Sequence, residues 1–189
     1  MKQIVVAITG ATGSVYALHL LQRLGQNQEV FVHLVVSLWG ERVMVEETGK
    51  TLAEWLAFLP GDRIRLHNHG DLASPLASGS FPIDAMVVIP CTMGTLGSLA
   101  CGLSSNLIER AASVALKEKR PLVLVARETP LSSIHLQNML TLSNAGAMIL
   151  PPVPTFYCHP KTVDDIIDST VDRVLDSLHL ADTNTKRWS

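Results

Sequence analysis

The sequence predicts an α/β fold built on a doubly wound, mostly parallel sheet. Two apolar, β-branched runs, "QIVVAIT" at 3–9 and "VFVHLVVS" at 30–37, are typical of strands that are buried on both faces. Later runs at 85–90, 122–126 and 147–151 have the same character and alternate with helical patterns. This alternation favours a single-domain, Rossmann-like three-layer αβα architecture with helices on both faces of the sheet.

A helix is predicted between the first two strands. Gly25 marks its end, and its apolar side chains recur at helical spacing: Val15, Leu18, Leu21 and Leu24. Strand, helix and strand together form one βαβ unit. Further helical patterns cover about 94–118 and 132–144.

A later helix carries a capping signal and two cations. Asn106 and Glu109 have the spacing of a capping box, so a helix is expected from there to about residue 119. Arg110 and Lys117 are seven residues apart and would share one face of that helix. Arg110 stands among alanines and aliphatic residues, where a guanidinium usually meets a carboxylate or a phosphate.

The C-terminal part of the chain predicts one more helix and a tail. Thr162 and Asp165 have capping-box spacing, and Arg173 lies close to the apolar stripe of the helix that follows. The chain is expected to form one domain, 1–180, with a tail, 181–189, that contributes to the site or to subunit contacts. The small-residue segment "SPLASGS" at 74–80 is expected to be a flexible binding loop.

The composition argues against a nucleic-acid-binding or membrane protein. The 15 Lys and Arg residues nearly balance the 17 Asp and Glu residues, so no global field gathers nucleic acid or an anionic membrane. No apolar run approaches the roughly 20 residues of a membrane span. The three cysteines form no CxxC pair and the start is not signal-like, which favours a reduced, cytoplasmic protein.

Small, polar turns follow two of the strands. "ITGATGSVYAL" has GxxG directly before a helix, and Gly10 and Gly13 would let a phosphate or a flat ring approach the backbone N–H groups. "PCTMGTLGS" follows another strand, at the sheet edge where open α/β sheets bind ligands. Ser37 offers a hydroxyl at this edge or serves only as a cap. These turns suggest a mononucleotide with one phosphate and a planar ring.

Other chemistries are disfavoured. Cys91 is expected to be a small buried side chain, not a nucleophile, because no histidine stands in a partnering motif. His67 and His69 form an HxH without a third ligand, so no metal site is expected. The pair Ser132–Ser133 lacks the G-x-S-x-G elbow of acyl-transfer enzymes.

Over nearly its whole length the sequence resembles the flavin prenyltransferases, the UbiX group within the flavin-dependent cysteine-decarboxylase-like flavoproteins. The resemblance is carried by "TGATGSVYA", "LASGSF", "PCTMGTL", "NLIERAASVALKEKRPLVLVARETPLSSIHLQNML", "GAMILPPVPTFY" and the C-terminal "RW". It implies transfer of a dimethylallyl group from dimethylallyl phosphate to N5 and C6 of reduced FMN. It also implies a homododecamer with shared sites, and delivery of the prenylated FMN to a UbiD-type decarboxylase.

The resemblance assigns site residues by motif. Contacts to FMN fall on the two turns and their neighbours, namely Gly10, Ala11, Thr12, Ser37, Thr92, Met93, Gly94, Thr95 and Arg127. The catalytic groups and the site of the dimethylallyl phosphate fall on Arg110, Lys117, Glu128, Tyr157 and Arg173, with Trp188 near the prenyl path. The cations would stabilise the departing phosphate without a metal, and Glu128 would orient a cation or move a proton. Tyr157 and Arg173 are expected to come from another subunit.

The sequence departs from the family pattern at both turns. GATG replaces G-A-S-G, which adds a methyl group at Thr12. TMGT replaces Ser-Met-Lys-Thr, so Gly94 removes a cation, and weaker binding of the FMN phosphate is expected there. Glu47, in "VMVEET", is a further candidate to face the site.

Two alternatives stay open. One is an FMN-dependent decarboxylase of the same fold, acting on a peptidyl cysteine, phosphopantothenoylcysteine or an aromatic acid, although the cysteine decarboxylases have a PASANT-like turn and a histidine base. The other is a non-catalytic FMN carrier. A carrier predicts that the five assigned catalytic residues are dispersed, whereas an enzyme predicts that they converge on one pocket beside the flavin.

Overall fold

Apolar, β-branched segments form a six-stranded sheet in the computed structural model, which describes residues 1–59 and 62–180. Every strand pairs in parallel with its neighbour, in the order β3-β2-β1-β4-β5-β6. The direction of winding therefore switches between β1 and β4, and ligands bind at such a switch point. The strands are β1 (Lys2–Ile8), β2 (Val30–Val36), β3 (Ile64–His67), β4 (Ala85–Cys91), β5 (Leu122–Ala126) and β6 (Met148–Ile149).

Helices cover both faces of the sheet, and alternate residues of β1 point to the two layers. Ile4, Val6 and Ile8 join the core beneath α1 and α7, whereas Val5 and Ala7 join the core beneath α4 and α5. The helices are α1 (Ser14–Gln26), α2 (Leu38–Thr48), α3 (Leu52–Phe58), α4 (Met93–Ala100), α5 (Leu107–Lys117), α6 (Ser133–Asn144) and α7 (Val163–Ser177). Two 3-10 helices, Pro75–Ala77 and Phe156–Cys158, lie in loops. The predicted three-layer α/β fold is confirmed.

Three elements were not predicted because they bury little. The edge strand β3 has four residues and no fully buried side chain. In α2 only Gly40 and Met44 are buried, so its sequence shows no apolar stripe, and in α3 only Leu52 is buried. The helical pattern over about 94–118 corresponds to two helices, since α4 ends at Ala100 and α5 begins after its predicted cap, Asn106.

A chain of hydrogen bonds fastens the segment 74–80, which was expected to be flexible. The His33 ring lies between Gln3 and His67, with Nε2 2.9 Å from Gln3 Oε1 and Nδ1 3.0 Å from His67 Nε2. His67 Nδ1 then lies 3.1 Å from the hydroxyl of Ser74, which is buried. We call Gln3, His33, His67 and Ser74 the histidine chain. It joins β1, β2 and β3 to the loop 74–81.

The free energy of unfolding is expected to fall as the pH drops from about 6.5 to 4. Burial, followed by the nearby charges of His67 and Arg65, lowers the pKa of His33 to about 4. Burial and Arg65 also lower the pKa of His67, against an opposing effect of Asp71. A histidine of the unfolded chain takes up its proton near pH 6.5, so the stabilisation is complete above that pH and is lost towards pH 4.

Urea denaturation of the wild type and the His33→Gln variant at pH 7 and pH 5 measures this effect. The wild type is expected to lose about 1 to 2 kcal/mol more than the variant over this interval. Equal losses in the two proteins would contradict the assignment to His33.

Candidate active site

The two polar turns meet at the switch point of the sheet. We call residues 9–14, which follow β1, the first turn, and residues 90–95, at the end of β4, the second turn. The hydroxyl of Thr9 donates to Pro90 O at 2.7 Å and accepts from the backbone N–H of Thr92 at 2.9 Å. A single buried side chain therefore ties the two turns together.

Glu47, on α2, occupies the N-terminus of α1. Its carboxylate accepts from the backbone N–H groups of Gly13 and Ser14, at 2.8 and 2.9 Å, and from the hydroxyls of Thr12 and Ser14. Desolvation alone would raise the pKa of Glu47, but these hydrogen bonds, led by those from Ser14 and Thr12, bring it below its usual value. The sequence predicted that the donors of the first turn were free for a ligand anion. In the structure the backbone N–H groups of Gly13 and Ser14 are instead bonded to Glu47, so the protein supplies its own anion there.

Close packing explains the glycines of the first turn. A Cβ atom at Gly10 would lie 2.5 Å from Trp39 Cβ, so Gly10 permits the close approach of α2. Gly13 has a φ of 106°, which favours glycine. Gly10 and Gly13 therefore allow the first turn to pack against α2 and Glu47 without any ligand.

The second turn begins α4. Thr92 is the N-cap: its hydroxyl accepts from Thr95 N at 3.1 Å and donates to Thr95 Oγ1 at 3.0 Å. Met93 and Gly94 occupy the first helical positions, whose backbone N–H groups have no acceptor within a helix. Ser37 caps α2 in the same way and accepts from Gly40 N at 3.0 Å. The second turn thus presents backbone donors and hydroxyl groups at the sheet edge.

Gly94→Ala is expected to stabilise the protein by about 0.5 to 1 kcal/mol, because Gly is less favourable than Ala within a helix. The added Cβ would find only Thr92 Oγ1 within 4 Å, at 3.9 Å, so no clash opposes the gain. Thermal denaturation without flavin measures it. An unchanged or lower melting temperature would show that the backbone here needs glycine.

Arg127 and Glu128 line a cavity of about 410 Å³ beside the first turn. Thr12, Gly13 and Tyr16 form one wall, and residues 151–153, which follow β6, form another. Burial raises the pKa of Tyr16, and the positive charge of Arg127 partly offsets this rise. The structure therefore brings Glu128 and Arg127, from the end of β5, to residues of the first turn, as parallel strands predict.

Arg110 and Lys117 lie on α5 and face the loop 74–81. Arg110 Nε donates to Ala77 O at 2.9 Å, and Lys117 Nζ is ion-paired with Glu118. A Cβ at Gly79 would lie 2.5 Å from Lys117 Nζ, so the loop passes close to this cation. Both cations thus lie beside the loop 74–81.

Arg173 lies at the opposite edge of the sheet. It pairs with Asp176 at 3.5 Å and lines a cavity of about 400 Å³ with Leu122 and Met148, the first residues of β5 and β6. Arg127 follows the last residue of β5, whereas Arg173 lies near its first residue. At about 3.3 Å per residue the length of β5 separates the two arginines by roughly 13 Å or more.

Tyr157 lies in the 3-10 helix Phe156–Cys158, about half exposed. Trp188 lies outside the described residues. Within one chain, therefore, the five assigned catalytic residues do not meet in one cavity.

Cys91 is fully buried, and burial raises the pKa of its thiol to about 12. Such a thiol is not a nucleophile at neutral pH. Within 1–59 and 62–180, no group of three or more His, Cys, Asp or Glu side chains is placed to hold a metal ion. No helix in the described part of the chain is long and apolar enough to cross a membrane.

Sequence reasoning missed three polar groups around the turns. Thr9 carries a hydroxyl directly before the GxxG pattern, Ser14 follows it, and Tyr16 is two residues further on. Glu47 was named as a candidate, but its hydrogen bonds to Thr12, Gly13 and Ser14 were not predicted. A carboxylate 33 residues from the helix start that it caps leaves no local spacing signal.

Comparison with known proteins identifies the family. A family model described as "Flavoprotein" matches residues 1–175. The chain is 44% identical to the flavin prenyltransferase LpdB of Lactiplantibacillus plantarum, over all of this chain and 98% of that one. It is 47% identical to the flavin prenyltransferase UbiX of Pseudomonas aeruginosa, over 99% of this chain and 94% of that one.

Solved structures give the same result. The structure of AnUbiX (PadA1) in complex with FMN and dimethylallyl pyrophosphate matches with a TM-score of 0.93 and 46% identity, over 100% of this chain and 97% of that one. A dodecameric FMN-dependent UbiX-like decarboxylase from Escherichia coli O157:H7 matches with a TM-score of 0.93 and 45% identity, over 99% of each chain. The chain therefore belongs to the flavoprotein family and, within it, to the UbiX-type flavin prenyltransferases.

Proposed function

We propose that this protein is a flavin prenyltransferase that joins the dimethylallyl group of dimethylallyl phosphate to N5 and C6 of reduced FMN. Full-length identity of about 45% to proteins named flavin prenyltransferases carries the proposal. The product, prenylated FMN, would go to a UbiD-type decarboxylase. The three free cysteines suit a reducing compartment, and we place the protein in the cytoplasm.

The second turn suits the FMN phosphate better than the first turn does. Glu47 already fills the N-terminus of α1, and its negative charge would repel a phosphate. The N-terminus of α4 offers the backbone N–H groups of Met93 and Gly94 together with the hydroxyl of Thr95. Gly10, Ala11, Thr12, Ser37 and Arg127 would then border the flavin ring. We therefore assign the phosphate to Thr92–Thr95. Because position 94 is a glycine, the phosphate would be bound there by backbone N–H groups and hydroxyls and not by a cation.

Reduced FMN supplies the nucleophilic N5 and C6 atoms. The protein's task is to hold the allylic donor and to stabilise the phosphate as its C–O bond breaks. Arg110 is suited to this because its Nε is held by Ala77 O, which leaves both Nη groups to meet phosphate oxygens. Lys117 and Arg173 add positive charge, Tyr157 can donate a hydrogen bond, and Glu128 can orient a cation or take up a proton. Trp188 would shelter the allyl group.

A site shared between subunits would unite these residues. Arg110, Arg127 and Arg173 lie in three separate places on one chain. The dodecameric relative from Escherichia coli supports a shared site, as do the large exposed apolar side chains of Leu38, Trp39, Ile134 and Phe156. We propose a homododecamer in which neighbouring chains complete each site.

The decisive test is anaerobic incubation of the purified protein with reduced FMN and dimethylallyl monophosphate, with the flavin analysed by mass. A flavin heavier by one C5 unit is expected. A parallel reaction with the pyrophosphate tests which donor is used. An unchanged flavin with both donors would overturn the proposal. In that case retained FMN binding would point to a carrier, and CO2 release from an aromatic acid to a decarboxylase.

Variants test the assigned roles. Arg110→Ala is expected to reduce prenylation at least about tenfold, since it removes a charge-assisted hydrogen bond to the donor. Arg23→Ala is the matched control, because Arg23 is also half-buried but pairs with Asp172 on α7. Glu128→Gln is expected to slow ring closure. An unchanged rate would refute a proton-transfer role for Glu128.

A further inference from the structure

The histidine chain is a polar network away from the two turns. His33 and Ser74 are buried, and the Phe81 ring packs edge-on against His33 at 5.3 Å between centroids. None of these groups belongs to the proposed chemistry. Burying polar groups is unfavourable unless their hydrogen bonds are complete. The partners of each buried group therefore decide which arrangement of the network is stable.

The hydrogen bonds fix one direction along the network. Gln3 Oε1 can only accept, so His33 Nε2 carries the hydrogen and His33 Nδ1 accepts. His67 must then donate through Nε2 and accept at Nδ1 from the Ser74 hydroxyl. All four side chains are satisfied when both rings are neutral and in these tautomers. The network therefore specifies where Ser74, the first residue of the loop, must lie.

The loop that begins at Ser74 is held at its other side by cations of α5 and the turn after it. Arg110 Nε donates to Ala77 O at 2.9 Å. Arg120 donates to Gly79 O at 2.8 Å and to Phe81 O at 2.9 Å. Each of these carbonyl groups restrains a guanidinium as much as the guanidinium restrains the loop. A displaced loop would therefore release Arg110.

We propose that His33, His67 and Ser74 are positioning residues for the phosphate-donor site. The histidine chain sets the position of the loop 74–81, and the Ala77 carbonyl sets the direction in which the Arg110 guanidinium points. The consequence for catalysis rests on the proposed function, since it requires that Arg110 meets the phosphate of the donor. The effect on the loop does not.

Hydrogen exchange, followed by mass spectrometry on the full-length protein, tests the structural half. The readout is the peptide that covers 74–81. Ser74→Ala and His67→Ala are expected to speed its exchange at least about fivefold, because a cooperative set of contacts to the sheet is removed. His67→Gln, which keeps a donor and an acceptor without a titrating ring, is expected to restore slow exchange. His19→Ala is the control, since it removes a 2.9 Å bond to Asp168 on the other face of the sheet.

Kinetics test the catalytic half. Ser74→Ala and His67→Ala are expected to lower kcat/KM for dimethylallyl monophosphate about fivefold, the equivalent of one lost hydrogen bond. The Kd of FMN should stay within twofold of the wild type, and His67→Gln should recover most of the loss. A general loss of stability would instead weaken FMN binding too and would also appear in His19→Ala.

The outcomes separate this inference from the proposed function. If the wild type prenylates FMN but Ser74→Ala changes neither the exchange of the loop nor kcat/KM, the positioning role is wrong. If the wild type does not prenylate FMN, the proposed function fails, and the exchange data still decide whether the histidine chain holds the loop. If the loop loosens without any change in kcat/KM, the link from Ala77 to Arg110 is refuted.

Discussion

Glu47→Ala is expected to weaken FMN binding by at least about tenfold and to destabilise the protein by about 2 kcal/mol. Four donors of the first turn, two backbone N–H groups and two hydroxyls, would lose their acceptor. Hydrogen bonds to a charged group contribute about 1.5 to 3 kcal/mol each when buried, and partial exposure reduces their sum here. Flavin titration and urea denaturation measure the two effects.

The matched control is Glu46→Ala, because Glu46 neighbours Glu47 and is exposed like it, but pairs with Arg42 on the same helix and not with the first turn. That change is expected to cost less than about 0.5 kcal/mol. The pH dependence provides a second check. The lowered pKa of Glu47 means that its stabilisation is present above about pH 4.3 and is lost as the pH falls through the folded-state pKa. If both variants behaved alike, Glu47 would not organise the turn.

Gly10→Ala is expected to destabilise the protein by about 3 kcal/mol, the upper end of the usual cost of overpacking. The new methyl group would lie 2.5 Å from Trp39 Cβ and 3.2 Å from Trp39 C, so the start of α2 must move. Movement of α2 would carry Glu47 away from the first turn, and flavin affinity should fall as well. Thermal denaturation and flavin titration report both effects.

Gly70→Ala is the control for this change, since its Cβ would meet only Asn68 Oδ1, at 3.6 Å. The double variant Gly10→Ala with Trp39→Gly removes the nearer clash and should recover part of the lost stability. A single variant as stable as Gly70→Ala would show that α2 does not constrain Gly10.

Much of the fold could be predicted because burial leaves a strong pattern in the sequence. The strands β1, β2, β4 and β5 are almost wholly buried, so they appear as unbroken apolar runs. The capping signals at Asn106 and Thr162 also correspond to real N-caps. The elements that were missed, such as β3 and α2, are half exposed and owe their structure to neighbours that are distant in sequence.

For the site, the sequence predicted only which residues follow the carboxyl ends of the strands. Parallel strands place Arg127 and the first turn at one edge of the sheet, and the cavity beside them agrees with this. The role of Glu47 depends on the packing of α2 against Gly10, which no local pattern encodes. The positions of Arg110 and Arg173 follow from helices on opposite faces of the sheet, which no local pattern in the sequence shows.

The bond that Thr9 makes across β1 and β4 has a consequence for how the flavin is received. Because one buried hydroxyl holds both turns, neither turn has to be ordered when FMN arrives. The entropy that a mobile loop would lose on binding is already lost during folding, and little of the contact energy with the flavin is used to arrange the receptor. A surface assembled in advance supports the proposal that the second turn binds the FMN phosphate, although position 94 is a glycine and not a lysine.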